Sequence, residues 1–224
     1  MKVFALIMAG GRGSRMGAGK AKQSLKLSGK KIFRITAERF DSFKCIEGIV
    51  FVGRKEDISE YKKDLKGLNK IFEIVEGGKT RQESVANGLA ALGKYSPDIV
   101  TIHDAVRPFV EEHYVEKSIK AARKFGAAVV VSECNDTIGV IKDGFLENVP
   151  ERSKLRNLQT PQTFRYEMLL KAHNNIKRTD KTFTDDTGAA IGIGLKIKVI
   201  EGSSGNIKIT SPQDIGTANF ILKG

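Results

Sequence analysis

Val3-Phe4-Ala5-Leu6-Ile7-Met8 runs without a polar side chain into Ala9-Gly10-Gly11-Arg12-Gly13-Ser14-Arg15-Met16-Gly17, and Lys20-Ala21-Lys22-Gln23 follows closely. An apolar run of strand length that stops at a glycine cluster predicts a buried parallel strand feeding a phosphate-cradling loop. Glycines let the backbone approach a polyphosphate and aim several N–H groups at it. Arg15 and Lys22 add full positive charge where phosphate charge must be held. The rest of the chain has to be arranged around that strand and its loop.

Two familiar glycine motifs do not fit. The dinucleotide pattern G-x-G-x-x-G begins at Gly11 and Gly13 but ends on Met16, and no acidic residue closes a second strand about twenty residues on. The P-loop pattern has two near misses. Gly78-Lys79-Thr80 has Glu73 in place of the first glycine, and Gly88 to Gly93-Lys94 is followed by Tyr95 inside an apolar helical pattern.

Along the chain, strands alternate with helices. Ile32, Phe33, Ile35, Thr36 and Phe40 recur at helical spacing, and Gly48 to Gly53 is a second apolar strand. Residues 56–66 predict a charged helix, Ile71 to Val75 a strand, Thr80 to Leu92 a helix, Ile99 to Ile102 a strand, 111–125 a helix, and Ala127 to Ser132 a fifth strand. The fold class expected is α/β, a Rossmann-like doubly wound and mostly parallel sheet. In such sheets ligands gather at the carboxyl ends of strands. This draws attention to Gly77, Gly78, Arg81 and Ser84 at one strand-to-helix junction, and to His103, Asp104 and Arg107 at another. Asp104 suits Mg²⁺ or ribose hydroxyls, Arg107 suits a phosphate, and His103 is expected to be structural.

From Cys134 to Leu158 the pattern changes to weak alternation, with Asp143-Gly144 as a hairpin turn between residues 137–141 and 145–149. That predicts a β-arm leaving the sheet, unable to bury both faces alone and therefore packed on a second subunit, with Arg152 near its return. The arm returns through Gln159-Thr160-Pro161-Gln162-Thr163-Phe164 into a helix. Thr184-Asp185-Asp186, a strand from Leu195 to Ile200, and Gly205 to Thr210 follow. In that last stretch Lys208 would sit in a short strand, opposite Ile207 and Ile209 and facing the cleft. Ser211-Pro212-Gln213-Asp214 reads as a helix start.

Length and charge narrow the function classes. The 224 residues suffice for one large α/β domain. With 38 Lys+Arg against 26 Asp+Glu, the net charge of +12 suits anionic partners. Nucleic acid is not expected among them, because the lysines are scattered and Trp is absent. Cys45 and Cys134 have no metal or redox spacing, and no segment has the apolar length to span a bilayer, so a reduced, cytoplasmic protein without a membrane partner is expected. The short apolar run after Lys2 meets Gly-Gly-Arg, not a processing site.

The stretch A-G-G-x-G-x-R-M-G with K-Q resembles the opening of sugar-phosphate nucleotidyltransferases. Together with G-G-x-x-R-x-x-S-V, H-D-A-V-R-P-F, Q-T-P-Q-x-F, T-D-D and N-I-K-I-T-x-P-x-D, it resembles the 2-C-methyl-D-erythritol 4-phosphate cytidylyltransferases across nearly the whole chain. Ribitol-5-phosphate cytidylyltransferases form a sister group with similar motifs. The resemblance implies one nucleotidyltransferase domain over residues 1–224, with 134–158 as a dimerisation arm. It also implies CTP and a polyol phosphate as substrates, and Mg²⁺ or another divalent cation. Ala9, Gly10, Gly11 and Gly13 would offer backbone to CTP, Gly77, Arg81 and Ser84 would surround its cytosine and ribose, and Asp104 would sit by the metal or ribose. Arg15, Lys22 and Lys208 would be the catalytic cations. Arg107, Thr160, Thr184 and Asp185 would border the polyol phosphate, with Arg152 reaching it from the partner. Ala21 and Ile191 depart from the family's usual proline and glutamate.

Overall fold

The computed structural model describes residues 1–11, 24–179 and 182–223. In chain order the elements are β1 (Val3–Ala9), β2 (Lys26–Leu27), β3 (Lys30–Lys31), α1 (Ile32–Ser42), β4 (Gly48–Gly53), α2 (Ile58–Asp64), β5 (Ile71–Glu76), α3 (Arg81–Leu92), β6 (Ile99–Asp104) and α4 (Glu112–Phe125). Then come β7 (Ala127–Glu133), β8 (Val140–Lys142), β9 (Phe145–Asn148), β10 (Arg156–Arg165), α5 (Tyr166–Thr179), α6 (Asp186–Ile191), β11 (Lys198–Glu201) and α7 (Pro212–Lys223).

The strands form a seven-stranded sheet in the order β11-β7-β10-β6-β1-β4-β5. Neighbours pair in parallel except at β10, which runs antiparallel to both β6 and β7. Every residue of β1 is buried. A strand alternates its side chains between two faces, so Val3, Ala5, Ile7 and Ala9 meet α1, α2 and α4 through Phe33, Tyr61 and Ile119. Phe4, Leu6 and Met8 meet α3 and α5 on the other face, through Val85, Leu89 and Leu169. Burial on both faces is why β1 and β4 read as unbroken apolar runs. Helix α3 lies so close to the sheet that a Cβ at Gly88 would collide with Leu6 and Val52.

The predicted alternation from β1 to β7 is the one observed, with helix ends shifted by a residue or two; α2 begins at Ile58 after a short 3₁₀ turn over Lys55–Asp57. Three expectations need correction. The Q-T-P-Q segment is part of β10, a strand inside the sheet, and Pro161 falls where the β7–β10 register shifts, between Leu158 and Gln162. A proline cannot donate to a ladder and is tolerated at such a break. The last strand covers only Lys198–Glu201, not Leu195 to Ile200. Residues 205–210 form no strand; Ile209 is tied in by its N–H to the Val106 carbonyl at 2.9 Å.

Past β7 a hairpin leaves the sheet as expected, with its first strand at Val140–Lys142 instead of 137–141. β8 and β9 pair only with each other, around Asp143 and Gly144, whose φ values of 51° and 85° suit a tight hairpin turn. Ile141, Phe145 and Leu146 are exposed, Phe145 at 78%.

Candidate active site

A cleft of about 620 Å³ opens at the carboxyl ends of β1, β4, β5 and β6, the place where open α/β sheets bind ligands. Its rim carries two glycine turns. Ala9, Gly10 and Gly11 continue from β1, and Gly77 and Gly78 continue from β5. The turns adjoin, since a Cβ on Gly10 would lie 3.6 Å from the Ser84 hydroxyl.

The β5 turn is held by the start of α3. Ser84 Oγ accepts from the Gly78 N–H at 3.0 Å and donates to the Thr80 carbonyl at 2.8 Å. Thr80 caps the helix by accepting from the Glu83 N–H at 3.1 Å, while Glu83 accepts from the Lys79 N–H at 2.6 Å, a variant of the capping box. A Cβ on Gly77 would come within 2.8 Å of Ser84 Oγ, so the turn needs glycine there.

Asp104 ends β6 at the cleft floor, and Lys208 reaches it with Nζ 2.8 Å from Oδ2. Arg107 approaches the same oxygen at 3.5 Å and donates to the Asn206 carbonyl at 2.7 Å. Burial of Asp104 opposes its ionisation, but Lys208, Arg107 and Arg81 outweigh burial and hold the carboxyl well below the usual range. His103 lies beneath, fully buried. Its Nε2 donates to the Arg107 carbonyl at 3.0 Å and its Nδ1 accepts from Thr160 Oγ1 at 3.1 Å, while that hydroxyl accepts from the Asp104 N–H. Burial pushes the imidazole down to about 4, so it is neutral and serves as a strut.

Arg81, the first residue of α3, projects into the cleft with its guanidinium 2.6 Å from Asp186 Oδ2. Asp186 is 1% exposed and also accepts from His173 Nε2 at 3.1 Å. Burial works against the Arg81 charge, yet Asp186 and Asp104 raise its pKa above the ordinary value.

Of the residues singled out in sequence, the cleft gathers Ala9, Gly10, Gly11, Gly77, Arg81, Ser84, Asp104 and Lys208. Gly13, Arg15 and Lys22 lie outside the described residues. Arg107 and Thr160 are buried under Asp104 and do not line the cleft wall. Thr184 is exposed, and Asp185 caps α6 by accepting from the Gly188 N–H at 2.9 Å. Arg152 sits on the arm, donating to the Asn135 carbonyl at 3.1 Å within its own chain. Sequence reasoning missed Arg54, Lys55 and Lys79 on the rim, and Asp186 with His173 behind it. Position after the strand ends β4 and β5 was the available signal for the first three.

A mostly parallel sheet with two glycine turns and a cluster of cations at its carboxyl edge defines an α/β nucleotidyltransferase-like protein. The chain belongs to the 2-C-methyl-D-erythritol 4-phosphate cytidylyltransferase family, whose model it matches over residues 3–224. The enzyme of that name from Clostridium perfringens is 40% identical over 225 residues, covering 99% of each chain, and that from Clostridium acetobutylicum is 41% identical over 223 residues, covering 98% of this chain and 96% of the other. The crystal structure of 4-diphosphocytidyl-2C-methyl-D-erythritol synthase from Anaerococcus prevotii superposes with a TM-score of 0.88 at 31% identity, covering 100% of this chain and 99% of that one.

Proposed function

We propose that the chain transfers CMP from CTP to 2-C-methyl-D-erythritol 4-phosphate and releases pyrophosphate, a step of isoprenoid precursor synthesis. The match of residues 3–224 to that family's model carries this reading over ribitol-5-phosphate as acceptor. A phosphate oxygen of the acceptor attacks the α-phosphorus of CTP in line. The bond from that phosphorus to the bridging oxygen breaks, and pyrophosphate leaves with the electron pair. The acceptor is already an oxyanion, so the barrier is charge repulsion and alignment, and positioned cations supply most of the rate.

Lys208, held by Asp104, presents an ammonium at the cleft floor for the developing charge at the α-phosphoryl group. Arg15 and Lys22, which follow Gly11 in sequence, are assigned the same role. The Gly10-Gly11 and Gly77-Gly78 turns offer backbone N–H groups to the nucleotide, and Arg81 stands beside its base and ribose.

A divalent cation fits this floor. Among the described residues no group of three or more His, Cys, Asp or Glu side chains is placed to hold a metal, while Asp104 offers one ionised carboxylate in the cleft. One carboxylate with phosphate oxygens and water is a common Mg²⁺ donor set. Asp104 would hold the ion, which when bound neutralises triphosphate charge. The exposed arm over residues 134–158 packs on a second copy in this reading, bringing Arg152 to the partner's polyol phosphate in a cytoplasmic homodimer. Among the described residues no helix is long and apolar enough to cross a membrane.

The test is pyrophosphate release from CTP and Mg²⁺ with each acceptor in parallel. Release with methylerythritol phosphate alone is expected. Release with ribitol-5-phosphate alone would overturn the assignment of the acceptor.

A further inference from the structure

Arg81 does not set its own position. Its guanidinium meets a carboxylate that lies behind the cleft wall and is itself gripped from elsewhere. Asp186 is the first residue of α6; Oδ2 takes Arg81 at 2.6 Å and Oδ1 takes His173 Nε2, from α5, at 3.1 Å. The backbone of Asp186 is fixed too, since its N–H donates to Gln162 Oε1 at 3.2 Å, while Gln162 Nε2 donates to Asp185 Oδ2 at 2.9 Å. The last glutamine of Q-T-P-Q, on β10, thus clamps both acids of T-D-D to the sheet.

We propose that Asp186 and His173, anchored through Gln162, are positioning residues for nucleotide binding: they fix the direction of Arg81 over the cleft. This rests on the cleft's being the CTP site. A carboxylate with 1% exposure is stable as an anion only where it is paired, so it holds the guanidinium as strongly as the guanidinium holds it. Arg81 in turn keeps about a third of its side chain exposed, with Asp104 acting on it from the cleft floor. A long side chain free to sample rotamers would lose that entropy on each binding event, whereas one held by Asp186 has lost it beforehand. His173 occupies the second carboxylate oxygen and prevents Asp186 from turning away from Arg81.

A residue that merely staples α6 to α3 would alter stability and leave substrate constants alone. The proposal predicts a split instead. Asp186→Asn should raise KM for CTP about tenfold or more, the scale of one hydrogen bond to a charged group, with KM for the acceptor little changed. The double variant Arg81→Gln/Asp186→Asn should be no worse for CTP than Arg81→Gln alone, because the acid acts through the arginine. His173→Leu should raise KM for CTP in the same direction, and His173→Gln, which keeps a donor, should restore it; these two serve also if Asp186→Asn fails to fold. Unchanged CTP constants in the His173 variants, or losses that multiply in the double variant, would overturn the proposal. Pyrophosphate release by the unaltered enzyme reports separately on whether CTP is the substrate at all.

Discussion

The cleft floor and the arm are opposite solutions to the same chain. At the floor, each charged or polar group is answered: Asp104 by Lys208 and Arg107, Arg81 by Asp186, and the neutral His103 by a carbonyl and a hydroxyl. On the arm, apolar side chains such as Ile141, Phe145 and Leu146 stay exposed even with β8 and β9 paired. Charge placement against a rigid sheet suits electrostatic catalysis, while an unburied apolar tip suits recognition of a second surface.

The largest effects should come from removing the cations assigned to catalysis, Lys208 at the floor and the two that follow Gly11 in sequence. Lys208→Ala, Arg15→Ala and Lys22→Ala should each lower turnover on the order of a hundred- to a thousandfold, as loss of one transition-state donor does, measured by pyrophosphate release. Near-normal turnover in all of them would place catalysis elsewhere.

Next in size is a mixing experiment that joins the two regions. Arg152→Ala should cripple the acceptor's binding, and a mixture of Arg152→Ala with Lys208→Ala subunits should recover part of the activity, because one site of the mixed dimer has an intact floor and an intact partner arginine. No recovery in a mixture shown to exchange subunits would confine Arg152 to its own chain.

Asp104→Asn should destabilise the fold by roughly 1–3 kcal/mol, since it leaves Lys208 and Arg107 without their counter-charge. The native carboxyl is held below its unfolded value, so its contribution is present above about pH 4 and is lost as pH falls from there towards the native pKa. The stability gap between the two proteins should therefore narrow below about pH 4 in denaturant titrations. A gap that stayed constant into acid would mean the ion pairs contribute nothing.

Phe145→Glu should convert dimer to monomer in sedimentation, with a change of only about 0.5 kcal/mol or less in the stability of the single chain, the usual scale for an exposed site. The smallest effect expected is from Ile191→Glu, the family's usual residue. Ile191 is 63% exposed and does not line the cleft, so KM for methylerythritol phosphate should be unchanged.

The parallel half of the sheet was legible because strands buried on both faces are mostly apolar, as β1 and β4 are throughout and β6 is at Ile99, Val100 and Ile102. β10 was not, because it is buried and polar. Thr160, Gln162 and Thr163 lie within the sheet with their hydrogen bonds met by His103, by Asp185 and Asp186, and by Thr101 and Ser118, which no periodicity reveals. Lys208 was found for a partly mistaken reason: it reaches the cleft from an irregular segment, not from strand alternation. The pairing of Arg81 with Asp186 joins distant stretches and could not be read from either. The glycine loop beyond Gly11, the most legible stretch of the sequence, falls mostly outside the described residues.

The arm is the tip of a long hairpin whose two legs, β7 and β10, are paired from Glu133–Arg156 down to Ala127–Phe164, with one register shift between Leu158 and Gln162. Residues can be added, removed or exchanged around Asp143-Gly144 without shifting the alignment of those legs, because the ladder below sets it independently. What the tip presents can therefore drift over evolutionary time while the sheet beneath stays fixed. A chain built this way can change its outermost surface without re-inventing the floor of its cleft.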